Sequence, residues 1–151
     1  MIDVLKTLFR PRPSAPDRDI APDLAVAVLL VEAAKADGHY NDDDRHAVTA
    51  LLDEMFDLAP PNGADTLRAR AEEAQAEAPD LVRFTRVVKS AMDHDERITL
   101  IEALWQVVLV DHHRDPHEDA LLRHLAPLIA VDDRDSGAAR RRVLARAGNQ
   151  P

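Results

Sequence analysis

Two short segments that are apolar on almost every face constrain the fold most strongly. The first covers residues 24–36, where Glu32 and Lys35 are the only charged side chains. The second covers residues 98–110 and contains Trp105. A helix that is apolar all round belongs in the middle of a bundle, whereas a helix that spans a membrane needs about 20 apolar residues. Both segments are therefore predicted to be buried helices of a protein without an integral membrane segment.

The remaining apolar residues also recur at helical spacing. This spacing predicts further helices at about 42–57, 64–78, 80–92, 116–129 and 137–146, and no segment alternates as a strand would. The 64–78 helix is expected on the outside, since Leu67 is its only large apolar residue. The predicted fold is all-α, a single-domain bundle of about seven helices over residues 20–146. Residues 1–19 are expected to form a short helix and a Pro/Arg-rich linker, and residues 147–151 a C-terminal tail.

Composition removes several functional classes. The 151 residues include no cysteine, which excludes a disulfide scaffold, a thiolate zinc site and a cysteine nucleophile. The net charge of −9 disfavours a polyphosphate partner, and aromatic side chains are too scarce for base stacking. We therefore expect no nucleic-acid binding. The first residues do not resemble a signal peptide, so a cytoplasmic location is expected.

The ends of the two apolar segments resemble each other. An offset of 74 residues aligns Asp37 with Asp111, His39 with His113, Asn41 with Asp115, Asp44 with Glu118 and Leu51 with Leu125. Each copy is an apolar helix, an aspartate, a short loop and an acidic start of the next helix. The similarity is explained either by an internal repeat of two helical hairpins or by coincidence between two such hairpins.

Asp37 and Asp111 lie where a helix C-terminus disfavours a carboxylate by about 0.3–1 kcal/mol, so each needs compensation. One explanation is local: the aspartate accepts backbone N–H groups of its loop, and Asn41 or Asp42 caps the next helix with Asp44 in its first turn.

The other explanation is a divalent cation, because oxygen ligands suit Ca²⁺ or Mg²⁺ better than Zn²⁺. The candidate metal ligands are Asp37, Asn41, Asp44, Asp111, Asp115 and Glu118, with Asp43 as a further donor in the first loop. An EF-hand does not fit, because a loop starting at Asp37 would place Val48 where a bidentate glutamate is needed.

Several short motifs in order resemble the TerB-like family, named after a tellurite-resistance protein. They are E-A-A-K-A-D-G at 32–38, N-D-D-D-R at 41–45, D-L-V-R-F-T at 80–85, E-R at 96–97, E-A-L-W at 102–105, V-D at 110–111 and P-H-E-D-A-L-L-R at 116–123. The resemblance implies a helical domain with acidic loops that have been proposed to bind metal, in stress-response and membrane-associated systems. Carried over to this chain, the first site would use Asp37 and Asp44, and the second Asp111 and Glu118. His112 stands where the family pattern has glycine, which weakens the case for the second site.

These observations lead to a first hypothesis and two rivals. The first is a non-enzymatic domain that binds a divalent cation through its acidic loops and acts in a stress-response assembly. The second is a metal-free adaptor whose helix faces and arginine-rich residues 134–151 dock a protein partner, with membrane association, if any, arising only through partners. The third and weakest is an enzyme using Glu32, Asp37, Glu102 or Asp111, which requires these groups to line one cleft. The sequence does not predict the oligomeric state.

Overall fold

The computed structural model describes residues 20–109 and 116–148, and these residues form seven helices without a strand. The helices are α1 (Pro22–Ala34), α2 (Asp42–Met55), α3 (Gly63–Glu77), α4 (Val82–Ala91), α5 (His94–Val108), α6 (Pro116–Leu128) and α7 (Asp133–Gly148). The predicted all-α fold is confirmed. The predicted N-terminal helix and linker lie outside the described residues. None of the described helices has both the length and the apolar character needed to cross a membrane.

Helices α1 and α5 form the centre of the bundle, as their sequences predict. Nine of the 13 residues of α1 are buried, and α1 contacts α2, α3, α4, α5 and α6. Helix α5 buries Leu100, Ile101 and Leu104 completely and packs against α6 and α7 as well as α1. Pro22 opens α1 and Pro116 opens α6, the positions where the missing N–H of proline costs nothing.

The helix bounds follow the offset of 74 residues seen in the sequence. Shifted by that offset, the bounds of α1 become 96–108, against 94–108 for α5. The bounds of α2 become 116–129, against 116–128 for α6. Two helical hairpins of matching length therefore lie in one core, as an internal repeat would require.

Helix α3 packs on α1 and α2 through a narrow apolar face. Its buried side chains are Ala64, Leu67 and Ala71, and the rest of the helix is exposed or half-buried. The expected outer position agrees with this one-sided packing. Because two of the three buried residues are alanines, the helix lies close against its neighbours.

Helix α5 begins four residues earlier than the apolar pattern predicts. Asp93 accepts the Glu96 backbone N–H at 3.0 Å, and Glu96 accepts the Asp93 N–H at 2.8 Å. This reciprocal pair is a capping box, so the two acids start the helix and do not merely precede it. The D-x-x-E spacing was a local signal for this start.

Candidate functional site at the loop between α1 and α2

The loop that follows α1 is organised by the Asp37 side chain. Its Oδ1 atom accepts the backbone N–H of His39 at 2.9 Å. Gly38, between them, has a φ of 85°, a backbone conformation that glycine adopts without strain. The carboxylate that opposes the α1 dipole thus has a local partner of the kind the structural explanation requires.

The start of α2 is capped by Asn41 and Asp44. The Asn41 Oδ1 atom accepts the Asp44 N–H at 2.9 Å, and Asp44 Oδ2 accepts the Asn41 N–H at 3.0 Å. Asp42 and Asp43 precede Asp44 in the first turn, where the helix dipole favours negative charge. The capping box proposed from the sequence is present, with Asn41 rather than Asp42 as the N-cap.

The structure thus brings Asp37, Asn41 and Asp44 into one short loop. Of the second predicted set, Asp111 and Asp115 lie outside the described residues. Glu118 lies in the first turn of α6 and is 6% exposed. Over residues 20–109 and 116–148, no three His, Cys, Asp or Glu side chains are grouped in a way that would hold a metal ion.

A tyrosine that sequence reasoning missed fastens this loop to α3. The Tyr40 hydroxyl donates to Glu72, and Arg45 Nε and Arg68 Nε lie 3.7 Å and 3.5 Å from the same carboxylate. Burial, then the bond to Glu72, raises the pKa of the Tyr40 phenol far above its usual value. Lys35 lies 5.3 Å and Arg45 4.8 Å from the centre of the tyrosine ring, within the range of cation–π attraction. The role of Tyr40 becomes clear only from the tertiary structure, which places the α1–α2 loop against α3.

The carboxylates of the two central helices are held on different neighbours. Glu32 of α1 accepts the side-chain N–H of Gln75 at 2.6 Å, and Gln75 in turn accepts Lys35 Nζ at 2.8 Å. Glu102 of α5 is 15% exposed and lies 3.5 Å from Arg142 Nε and 3.1 Å from Arg146 Nη1.

Gln75 thus joins Lys35 to Glu32, while Glu102 is paired with arginines of α7. Glu32, Asp37 and Glu102 are therefore held respectively by α3, by the α1–α2 loop and by α7. This arrangement does not favour the shared cleft that the enzyme hypothesis requires.

The chemistry of the first loop suits a hard cation, but its donors are partly used. Asp37 and Asp44 each commit one carboxylate oxygen to a backbone N–H, and Asn41 commits its side-chain oxygen in the same way. A Ca²⁺ ion takes about six to eight oxygen ligands. The three side chains therefore cannot complete such a site without further donors.

Comparison with known proteins identifies the family of the chain. The family model described as tellurite resistance protein TerB matches residues 23–141, more than three quarters of the chain. No curated protein and no solved structure matches the chain. The match begins inside α1, ends inside α7 and so includes the loop described above. The chain belongs to the TerB family of tellurite resistance proteins.

Proposed function

We propose that this chain is a non-enzymatic adaptor domain of a tellurite-resistance-type stress response, which docks an acidic protein partner on the outer face of α7. The observation that carries the proposal is a basic, partly apolar helix face on an acidic protein. Membership of a tellurite resistance family supports the stress-response setting. A cytoplasmic location stays a prediction from the sequence.

The outer face of α7 carries Arg134, Arg141 and Leu144. Arg134 and Arg141 are seven residues apart, two helical turns, and therefore point in the same direction. Both are exposed and neither pairs with a carboxylate in the described part of the chain, while Leu144 is 40% exposed. In a chain with 28 acidic and 19 basic residues, carboxylates to pair with are plentiful. Two exposed cations without an ion-pair partner in the described residues, beside an exposed leucine, match an acidic surface with an apolar spot.

Deleting residues 134–151 would not test this proposal cleanly. Helix α7 buries Ser136, Ala139 and Val143 and packs against α5 and α6, so its removal would open the core. Charge reversal on the outer face avoids this problem. The matched control reverses Arg83 and Lys89, which are exposed on α4 and equal in number and sign.

The experiment isolates the partner and then measures its affinity. Tagged protein is recovered from tellurite-treated cells of its own source, and the co-purified partner is titrated by calorimetry. Arg134→Glu/Arg141→Glu is expected to weaken binding by about tenfold or more, and Arg83→Glu/Lys89→Glu by less than about twofold. Equal affinity for both double variants, or no specific partner, rejects the adaptor.

A second candidate function is binding of Ca²⁺ or Mg²⁺ by the acidic loops. It is favoured by the position of Asp37 at the negative end of α1, followed by three consecutive aspartates at 42–44. Asp37, Asn41 and Asp44 would contribute the first donors, with Asp111, Asp115 and Glu118 as the proposed second set. A bound cation would supply positive charge that offsets the repulsion among these carboxylates.

Calorimetric titration of chelator-treated protein with Ca²⁺, Mg²⁺, Mn²⁺ and Zn²⁺ tests the second candidate. Asp37→Asn/Asp44→Asn is expected to weaken binding, while Asp53→Asn, an exposed acid elsewhere on α2, is expected to leave it unchanged. Cation binding is rejected if about millimolar metal causes neither heat nor a thermal shift. A Kd of about 1 mM corresponds to a binding free energy of only about −4 kcal/mol.

A further inference from the structure

Helices α5, α6 and α7 border an open groove of about 460 Å³. Trp105 of α5 and Arg123 of α6 line it together with Asp133, Ser136, Gly137 and Arg140 of α7. Asp119 of α6 completes the lining. The volume lies within the range of about 300–1,000 Å³ that is typical of sites for small ligands.

Trp105 lies at the base of the groove and is held there by hydrogen bonds and by packing. The Trp105 Nε1–H donates to the Ser136 carbonyl oxygen at 3.1 Å and lies 3.2 Å from the Ser136 hydroxyl oxygen. Trp105 is 6% exposed, so its ring is held by the core and by the first turns of α7. The indole is therefore fixed, and almost all of its surface is covered.

Arg140 is held over this indole and is short of partners. Its guanidinium carbon lies 5.6 Å from the centre of the Trp105 ring. Its Nε atom is buried and makes no hydrogen bond within the described residues. Neither Arg140 nor Arg123 forms an ion pair with a described residue, and the same holds for Asp133. Among the described residues, Arg140, Arg123 and Asp133 are thus charges of both signs that form no ion pair with one another.

Gly137 keeps the middle of the groove open. A Cβ atom built at this position would meet only Arg141 Nη1, at 3.6 Å, which is an ordinary contact. Packing therefore does not require glycine here, although glycine inside a helix costs about 0.5–1 kcal/mol relative to alanine. Glycine at position 137 lowers the stability of the helix but leaves space in the groove, as a ligand-binding groove would require.

The backbone positions of Asp133 and Arg140 limit the length of a ligand that could reach both residues. Asp133 and Arg140 lie on one face of α7 and are seven residues apart, which corresponds to about 10 Å along the helix axis. Three residues of extended peptide span a similar length, about 10 Å. An arginine fork binds a carboxylate through two hydrogen bonds, and an aspartate can hold an ammonium group. The nearby aspartates also disfavour a phosphate dianion.

We infer that this groove binds a short dipolar peptide of about three residues, with its carboxylate on Arg140 and Arg123 and its ammonium group on Asp133. The peptide backbone would lie over Gly137, between Asp133 and Arg140. None of the residues that line the groove belongs to the α1–α2 loop, and Arg141 of the outer face of α7 lies at the edge of the groove beside Gly137. The inference does not depend on either proposed function.

Triglycine is the probe, and Trp105 is the reporter because it is the only tryptophan of the chain. Binding is followed by tryptophan fluorescence and by calorimetry on the full chain. Triglycine is expected to bind about tenfold more tightly than N-acetyltriglycine, which lacks the ammonium group, and triglycinamide, which lacks the carboxylate. Free glycine is expected to bind more weakly than triglycine, because its two charges are too close together.

The variants Arg140→Gln and Asp133→Asn are each expected to weaken triglycine binding by about tenfold. Arg83→Gln is the matched control, since Arg83 is exposed on α4 and does not line the groove. Thermal unfolding of every variant shows that a loss of binding is not a loss of folding. The inference is overturned if the blocked peptides or glycine bind as well as triglycine. It is equally overturned if Arg140→Gln binds normally, or if no response occurs up to about 10 mM.

Discussion

Replacement of Asn41 by alanine tests how the acidic loop is held. The change removes the oxygen that accepts the Asp44 N–H at 2.9 Å and leaves the reciprocal bond from the Asn41 N–H to Asp44 in place. Loss of an N-cap side chain costs about 0.5–2 kcal/mol, typically about 1 kcal/mol. For a chain of this length, 1 kcal/mol corresponds to a decrease in Tm of about 2–4 °C.

The assay is urea unfolding at pH 7, carried out once with chelator and once with millimolar Ca²⁺ or Mg²⁺. Asn41→Ser is the control, because serine also accepts the N–H bond and is expected to stay within about 0.3 kcal/mol of the wild type. If Asn41 acts only as a cap, the alanine variant loses the same free energy of unfolding under both conditions. A ligand role instead predicts a larger loss with metal, since binding to the native state adds stability.

Two results would refute the capping argument. The first is a loss below about 0.3 kcal/mol for Asn41→Ala, because a bond at 2.9 Å in a complete capping box should be worth more. The second is a loss for Asn41→Ser equal to that for alanine, because the hydroxyl oxygen would then fail to replace the amide oxygen. A difference that occurs only with metal would favour cation binding at this loop.

Three further perturbations follow from the packing. Trp105→Ala is expected to lower the free energy of unfolding in urea by about 3–5 kcal/mol, because it leaves a cavity at a residue that is 6% exposed; a loss below about 1 kcal/mol would contradict that burial. Gly137→Ala is expected to raise Tm, with a gain of about 0.5–1 kcal/mol, since its Cβ meets only Arg141 Nη1; a decrease would show a contact that the structure lacks. Tyr40→Phe is expected to change the pH dependence of unfolding: burial and the bond to Glu72 raise the pKa of Tyr40 above its unfolded value of about 10, so the wild type loses stability above about pH 10. The phenylalanine variant should lack that part of the loss, and parallel pH profiles would count against the raised pKa.

Part of the candidate site could be predicted because its interactions are local. Asp37 contacts the backbone two residues ahead, and the Asn41–Asp44 pair spans three residues. Such bonds depend on residue type and short spacing, which the sequence displays directly. The capping box of Asp93 and Glu96 obeys the same rule and was missed only because the apolar pattern begins later.

The second set of proposed ligands includes Asp111 and Asp115, which lie outside the described residues, so a second cation site stays a prediction. The loop at Asp37 is also attached to α3 through Tyr40 and Glu72, which are 32 residues apart. No local pattern in the sequence predicts a contact between residues so far apart in the chain.

The sequence alone determined that the protein is helical, which two helices are central and where most helices begin. The reason is physical: an all-round apolar helix must be buried, and prolines and capping residues act on their own first turn. The tertiary structure decided which side chains meet across helices, as in the clamp of Glu102 on Arg142 and Arg146. It also created the groove beside Trp105, since the rotation of each packed helix determines which residues face each other and is not written in any local stretch of sequence.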